Sequence, residues 1–214
     1  MKDKFFQDLR EKIQIYFEKG GSHGFDHTDR VYNLALKLSK GLDVDKDVIR
    51  AASLLHDISR LKEDNKEIEC HAGHGAEAAK KILEEMNFPK EKIEKVSYAI
   101  GVHRHSKGIK AETVEAQVLQ DADRLDAIGA ITIGRMFSTG GKFDLPLYNS
   151  NVPITGEDKK ATETISTIHG FYGKIIKLKP ETFNTEKAKR LAKKRYAFVE
   201  KFLKQFKAEW EGRL

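Results

Sequence analysis

Apolar residues recur at helical spacing along almost the whole chain. In the first segment, Phe6, Leu9 and Ile13 are three or four positions apart, as they are on one face of an α-helix. The alternation of apolar and β-branched residues with polar ones that marks strands is missing. The pattern therefore predicts an all-α protein.

Eight helices follow from this spacing and from residues that begin or end helices. They are marked by residues 5–17, 31–38, 48–60, 74–86, 89–103, 113–137, 159–177 and 186–210. Gly20-Gly21 and Gly41 are expected to end the first two helices. Either Asp45 or Asp47 can cap the third, and Pro89 suits the first turn of the fifth.

The helical pattern breaks between Ser138 and Gly156. This stretch contains Gly140-Gly141, the turn-forming Asn149-Ser150-Asn151 and two of the four prolines. Loops of this length in compact domains are usually lids, binding loops or disordered segments. We expect a single helical domain over residues 1–214, with a core at about 20–137, a long loop at 138–157 and closing helices at about 158–211.

Composition excludes several classes of protein. The 214 residues are 39% hydrophobic, which is enough for a core, and no apolar run approaches the roughly 18 residues needed to span a bilayer. The charged N-terminal segment does not resemble a secretory signal. Cys70 is the single cysteine and cannot form an internal disulfide. We therefore expect a cytoplasmic protein without a membrane partner.

The net charge of +6 is unevenly distributed. Residues 159–214 carry 15 basic and 6 acidic side chains, so the remainder of the chain is slightly acidic. One interpretation is a solvated, lysine-rich surface on the two closing helices. The alternative is attraction of a polyanion such as a nucleotide or nucleic acid.

The first candidate chemistry is the pair His56-Asp57, which follows the small and apolar residues 51–55. Consecutive helical residues are about 100° apart, so this imidazole and this carboxylate can both reach one ion beside the helix. Burying the carboxylate is costly unless a cation receives it. A His-Asp dipeptide alone is weak evidence for a metal site, but His27 near the start of another helix strengthens it.

A later segment contains three carboxylates, Asp121, Asp123 and Asp126, in an otherwise apolar helix. Such a cluster repels itself unless a cation or an arginine compensates it. Asp123 and Asp126 share a helix face, whereas Asp121 points away from it.

The order of these motifs resembles that of the HD-domain superfamily of metal-dependent phosphohydrolases. The family pattern is a His, then a His-Asp pair, then a distant Asp, around one divalent ion in an all-α fold. The resemblance implies a compact multi-helix HD-domain bundle with a C-terminal helical extension. It also implies four metal ligands: His27, His56, Asp57 and Asp123. Asp123 matches better than Asp121 because a basic and an apolar residue follow it, as in the family.

Segments 23–31, 120–129, 174–180 and 195–202 are similar to a bacterial subgroup of small stand-alone HD hydrolases, so the resemblance extends over nearly the whole chain. Alarmone hydrolases of the superfamily carry an acidic pair where this chain has Arg60-Leu61. The cyclic-dinucleotide branch carries a Gly-Tyr-Pro signature that this chain lacks. Neither specialised activity is expected.

The resemblance implies a phosphohydrolase that uses a metal-activated water. Its expected substrate is a small phosphorylated metabolite, above all a nucleotide or deoxynucleoside triphosphate, from which it would release phosphate or pyrophosphate. Two imidazoles and two carboxylates favour Mn²⁺, Fe²⁺, Co²⁺ or Mg²⁺, and purified protein could also carry Zn²⁺ or Ni²⁺. Nucleic acid is not expected as a partner, and a homodimer is left open.

Further residues are assigned to the reaction by the same resemblance. Beside Asp57, the expected catalytic residues are His71, His103 and Arg124. In dinuclear relatives, histidines like His71 and His103 bind a second metal, whereas in mononuclear relatives they more often contact phosphate or act as a general acid. Arg124 is expected to reach the phosphate, and an ion pair with Asp121 is the alternative.

The expected substrate-binding residues are His74, Arg30, Lys107 and Tyr148. Arg30 could instead brace Asp26 or Asp57, which we favour. Tyr148 lies in the long loop and could stack on a nucleotide base, although a subunit contact is equally compatible.

Two other functions remain open at this point. A di-iron HD oxygenase would need His71 and His103 as ligands. A non-catalytic sensor would bind nucleotide or nucleic acid through the basic closing helices. The intact ligand set argues against the sensor, because binding alone does not require a metal site with open coordination positions.

Overall fold

A computed structural model describes residues 1–17, 24–104, 107–154 and 165–214. These residues form helices, turns and loops without a strand, which confirms the all-α prediction. None of the helices in the described ranges is long and apolar enough to cross a membrane. The chain divides into two compact units, Met1–Asp123 and Arg124–Leu214.

The first unit is built around a buried helix. It contains α1 (Asp3–Ile13), a 3-10 turn (Gln14–Tyr16), α2 (Phe25–Ser39), α3 (Lys46–Leu55), α4 (Arg60–Asp64), α5 (His71–Glu85), α6 (Lys90–Val102) and most of α7 (Val114–Asp126). Helices α1, α2 and α6 pack against α3, and α5 packs against α6. Residues 51–59 are almost entirely buried as a result. The side chain of Asp45 caps α3 by accepting hydrogen bonds from the backbone N–H groups of Asp47 and Val48.

The second unit contains the end of α7, then α8 (Ala130–Lys142), α9 (Thr167–Gly170), a π-helical turn (Phe171–Ile175), a 3-10 turn (Pro180–Thr182) and α10 (Glu186–Trp210). Aromatic rings from α8, the π-helical turn and α10 pack together, with centroids 5.8–6.2 Å apart: Phe137, Phe171, Phe202 and Phe206. Helix α10 has the predicted bounds, and the Thr185 hydroxyl caps it by accepting a hydrogen bond from the N–H of Ala188.

The prediction of one helix over residues 113–137 is wrong. The segment forms α7 and α8, which are separated at Gly129, whose φ of +102° favours glycine. The Thr132 hydroxyl donates a hydrogen bond to the carbonyl of Asp126 at 3.0 Å and stabilises the break. Helix α8 then continues through Gly140-Gly141 to Lys142, so the loop predicted from residue 138 begins later. Residues 155–157 of that loop lie outside the described residues.

Other predicted boundaries also need correction. The third helix ends at Leu55 rather than Arg60, and the short α4 that follows was not predicted because five residues are too few to show apolar periodicity. The fourth helix begins at His71, three residues early, and Pro89 occupies the N-cap of α6 rather than its first turn. Of the helix predicted over 159–177, residues 159–164 lie outside the described residues, and the remainder forms α9 and the π-helical turn.

Gly140 packs so closely against a neighbouring side chain in the second unit that a larger residue there should lower the free energy of unfolding. A Cβ atom added there would lie 2.1 Å from the hydroxyl oxygen of Thr167, which is buried. Gly140→Ala should therefore destabilise the protein by about 1–3 kcal/mol in urea unfolding. Gly141→Ala is the matched control, because its Cβ would meet no described atom within 4 Å, and it should stabilise by up to about 1 kcal/mol. Equal effects of the two substitutions would contradict this packing.

Candidate metal centre

Four imidazoles and two carboxylates meet in the first unit, each carried by the end of a helix. His27 lies in the first turn of α2, and the pair His56-Asp57 directly follows α3. His71 is the first residue of α5, His103 directly follows α6, and Asp123 lies in the last turn of α7. The sequence around α3 explains why its pair lies inside, because residues 51–55 are small or apolar and the helix is surrounded by others.

The two carboxylate oxygens of Asp57 face different pairs of histidines. Its Oδ2 lies 3.7 Å from the Nε2 of His27 and 3.8 Å from the Nε2 of His56. Its Oδ1 lies 3.2 Å from the Nε2 of His71 and 3.6 Å from the Nε2 of His103. In each trio formed by Asp57 and one pair, the donor atoms lie within 4.8 Å of one another, so each trio could hold an ion.

Asp123 extends the first trio. Its Oδ1 lies 3.4 Å from the Nε2 of His27, which in turn lies 3.3 Å from the Nε2 of His56. The Asp123 side chain is 27% exposed, whereas that of Asp57 is 7% exposed. The structure therefore brings all four sequence-predicted ligands together, with Asp123 on the side that solvent reaches.

Hydrogen bonds at Nδ1, the ring nitrogen that points away from the cluster, orient three of the histidines. Nδ1 of His56 lies 2.9 Å from the carbonyl oxygen of Ser53, and Nδ1 of His103 lies 2.6 Å from that of Ile100. Because a carbonyl can only accept, Nδ1 of both rings carries the hydrogen and Nε2 can offer a lone pair to an ion. In His71, Nδ1 lies 2.8 Å from the carboxylate of Glu63.

Burial and the neighbouring charges set the protonation of the cluster. Burial lowers the pKa of His56 to about 4, so this ring is neutral at pH 7. Burial raises the pKa of Asp57, but the charge that His56 acquires when it is protonated at low pH, and hydrogen bonds from His103 and His71, bring it well below its usual value. Burial likewise raises the pKa of Asp123, and the hydrogen bond and charge of His27 lower it more strongly.

The pKa of His103 is shifted in the other direction. Burial lowers it, but the hydrogen bond and charge of Asp57 raise it above its usual value. A neutral His56 beside ionised Asp57 and Asp123 is the state that metal coordination requires. The donor set of imidazole nitrogens and carboxylate oxygens therefore fits a divalent ion such as Mn²⁺, Fe²⁺, Co²⁺ or Mg²⁺.

Known proteins share this fold and this segment of sequence. The family model named HD domain matches residues 24–128. The crystal structure of an HD-superfamily hydrolase from Bacillus thuringiensis is 30% identical, with 99% of each chain covered and a TM-score of 0.76. A protein described as a predicted HD superfamily hydrolase, from an uncultured Thermotogales bacterium, is 31% identical, with 95% of this chain and 92% of that chain covered and a TM-score of 0.67.

The chain belongs to the HD superfamily of hydrolases. A third similar structure is that of Bacillus subtilis YpgQ in complex with ADP, which is 25% identical, with 96% of this chain and 95% of that chain covered and a TM-score of 0.73. The His and Asp cluster of this HD hydrolase indicates a divalent metal cofactor.

Three predicted substrate-binding residues of the HD hydrolase lie in the first unit. His74 follows His71 by one turn of α5, and its Nδ1 lies 2.9 Å from the hydroxyl of Ser59. Arg30 donates a hydrogen bond to Asp26 at 2.6 Å, which is one of the two bracing contacts considered from the sequence. Lys107 is exposed to solvent.

Arg124 and Tyr148 belong to the second unit. The buried guanidinium of Arg124 donates hydrogen bonds to the carbonyl and the hydroxyl of Thr182 and lies 4.3 Å from the ring centroid of Phe183. The ring of Tyr148 packs 5.6 Å from that of His169, centroid to centroid. The phosphate-binding role of Arg124 and the base-stacking role of Tyr148 remain predictions.

Glu63 and Arg104 also contact the site, although no sequence pattern indicated them. Glu63 is carried by the unpredicted helix α4, and its carboxylate accepts hydrogen bonds from His71 and Arg104. The distance of six residues from Asp57 corresponds to no metal-binding motif, so only the folded arrangement reveals this contact.

Proposed function

We propose that this HD hydrolase is a nucleotide phosphatase or pyrophosphohydrolase that acts on a nucleotide or deoxynucleoside triphosphate. In this proposal, His27, His56, Asp57 and Asp123 hold one divalent ion. The observation that carries it is the convergence of these donors, with Asp57 at the centre and Asp123 on the solvent side. The ADP in the YpgQ structure supports a nucleotide as the ligand.

Different residues of the chain would bind the ion, orient the ligands and contact the substrate. When bound, the ion would lower the pKa of a water molecule and polarise a phosphoryl oxygen. Asp57 and Asp123 would supply the negative charge that retains the ion, and the carbonyl of Ser53 keeps the Nε2 of His56 turned towards the other donors. His71 and His103, on the other side of Asp57, would donate hydrogen bonds to the phosphate or a proton to the leaving group.

The remaining roles complete the proposal. Arg124 would neutralise the charge that develops on the phosphate, and the other substrate contacts would come from His74, Lys107 and Tyr148, while Arg30 would brace Asp26. Each of these roles is a proposal that substitution of the single residue can test against the catalytic rate.

The proposal predicts metal-dependent release of phosphate or pyrophosphate. Purified protein should be stripped with EDTA, reloaded with Mn²⁺ and incubated with a panel of nucleoside and deoxynucleoside mono-, di- and triphosphates. We expect at least one nucleotide to be hydrolysed about 100-fold faster with the ion than without it. Absence of release from every phosphorylated compound, while metal analysis shows a bound ion, would refute the proposal.

A second candidate function is favoured by one observation. Because His71 and His103 share Oδ1 of Asp57, a second ion could occupy that side, as the di-iron oxygenase alternative requires. Such a protein would bind two iron ions per chain and consume oxygen. A count of one metal per chain, measured after reconstitution with Fe²⁺, would dismiss this candidate.

A further inference from the structure

Glu63 binds three hydrogen-bond donors through a single oxygen. Its Oε2 lies 2.6 Å from the backbone nitrogen of His71, 2.8 Å from the Nδ1 of the same residue and 2.9 Å from Nη1 of Arg104. The Glu63 side chain is 17% exposed, so these donors replace much of its hydration. Such charge-assisted hydrogen bonds are stronger than those between neutral groups.

The position of His71 in its helix explains why it needs a side-chain acceptor. His56 and His103 each follow a helix, and the carbonyl three residues earlier accepts from their Nδ1. His71 is the first residue of α5, so no helical carbonyl precedes it. The orientation of its ring must therefore be set by another part of the chain, and Glu63 on α4 supplies the acceptor.

The two contacts with His71 fix the direction of its ring. One bond holds the backbone at the start of α5 and the other holds Nδ1, on the same oxygen atom. Nε2 lies on the far side of the imidazole and faces Oδ1 of Asp57 at 3.2 Å. A carboxylate at a helix N-terminus is also favoured by the helix dipole.

Arg104 connects the same carboxylate to a second histidine. It immediately follows His103 at the end of α6, so its contact with Glu63 ties the segment that carries His103 to the start of α5. Burial raises the pKa of Glu63, but hydrogen bonds from His71 and the charge of Arg104 bring it below its usual value. Glu63 is therefore ionised at neutral pH.

We propose that Glu63 is a positioning residue, which orients the His71 ring so that Nε2 faces Asp57, and that Arg104 holds Glu63 in place. The effect on catalysis rests on the proposed hydrolase function, whereas the ring orientation can be measured without it.

The test compares Glu63→Ala, which removes the acceptor, with Glu63→Gln, which keeps an oxygen but loses the charge. Glu69→Gln is the matched control, because Glu69 is an exposed glutamate of the same segment. The first measurement is nitrogen NMR of the histidine rings in metal-free protein, with the His71 signals assigned from a His71→Gln variant. We expect both Glu63 variants to shift the ring nitrogens of His71, Glu63→Ala more strongly, and Glu69→Gln to leave them unchanged.

The second measurement is hydrolysis with saturating metal. Loss of an orienting partner of this kind costs about 10–100-fold, so we expect Glu63→Ala to lower kcat by that factor while KM stays within about threefold. Glu63→Gln should retain part of the rate, since its amide oxygen can still accept from Nδ1. Glu69→Gln should match the wild-type protein.

Unchanged His71 ring signals and unchanged kcat in Glu63→Ala would overturn the proposal. If circular dichroism shows that Glu63→Ala does not fold, Glu63→Gln decides, and wild-type ring signals together with a wild-type kcat would overturn it. A wild-type protein that hydrolyses no phosphorylated compound refutes the proposed function instead, and the ring signals then decide the role of Glu63 by themselves.

Discussion

We expect Asp57→Asn to lower kcat for nucleotide hydrolysis by about 10³-fold, which corresponds to roughly 4 kcal/mol of transition-state stabilisation. The substitution keeps the shape of the side chain but removes its charge. It also replaces one of two oxygens that face separate histidine pairs with an NH₂ group, which cannot bind a cation. A single substitution thus alters the contacts of Asp57 with both pairs of histidines.

The measurement is kcat with saturating Mn²⁺, together with the metal content after dialysis. Asp64→Asn serves as the control, because Asp64 is 45% exposed and pairs only with Arg60 in a helical i,i+4 contact at 3.1 Å among the contacts described. It should retain full activity and metal. An Asp57→Asn protein that bound metal normally and kept more than about a tenth of the rate would show that the centre does not depend on this carboxylate.

The second large effect is a loss of stability in metal-free protein as the pH falls. The pKa of His56 is lowered from 6.5 to about 4 by burial, so between these values the unfolded chain binds a proton that the folded chain does not. Unfolding is therefore favoured as pH decreases through this window. The shift corresponds to about 3 kcal/mol of destabilisation, which is almost absent above pH 6.5 and almost complete at about pH 4.

Three charged neighbours, His103, Asp57 and Asp123, change the stability mainly outside this window. The pKa of His103 is raised above 6.5, so protonation of this ring stabilises the folded state. This stabilisation develops as the pH falls towards 6.5 and changes little at lower pH. The pKa values of Asp57 and Asp123 are lowered, so their contributions are lost only below about pH 4.

Urea unfolding of EDTA-treated protein at several pH values measures this loss of stability. The wild-type protein should lose about 3 kcal/mol more than a His56→Asn variant between pH 6.5 and pH 4. The variant will be less stable at neutral pH, but the comparison uses only the slopes. Parallel pH profiles for the two proteins would show that burial does not keep His56 neutral.

Apolar spacing predicted the helices that are long and have clear ends. Helix α10 was placed correctly because its spacing persists over 25 residues and Thr185 caps its first turn. The break between α7 and α8 was missed because apolar spacing continues across Gly129, and a single glycine does not reveal a positive φ. Helix α4 was missed because its five residues are fixed by tertiary contacts rather than by their own periodicity.

The site, like the fold, contains residues that the sequence predicts and others that only the structure reveals. The pattern of His27, the His56-Asp57 pair and Asp123 indicated a metal centre, and the structure brings these residues together. His71 and His103 approach the other oxygen of Asp57. This arrangement depends on how α5 and α6 pack, and residue spacing carries no information about that packing. Glu63 was missed for the same reason, because its partners His71 and Arg104 are 8 and 41 residues away.

The hydrogen bonds behind the histidines limit how this centre can be engineered. His56 and His103 are held by main-chain carbonyls, and no side-chain replacement at Ser53 or Ile100 deletes those acceptors. His71 is held by a side chain, so its tilt and basicity are open to redesign. An attempt to retune the protein towards another ion or leaving group should begin at Glu63, where one codon alters the ring without rebuilding the backbone.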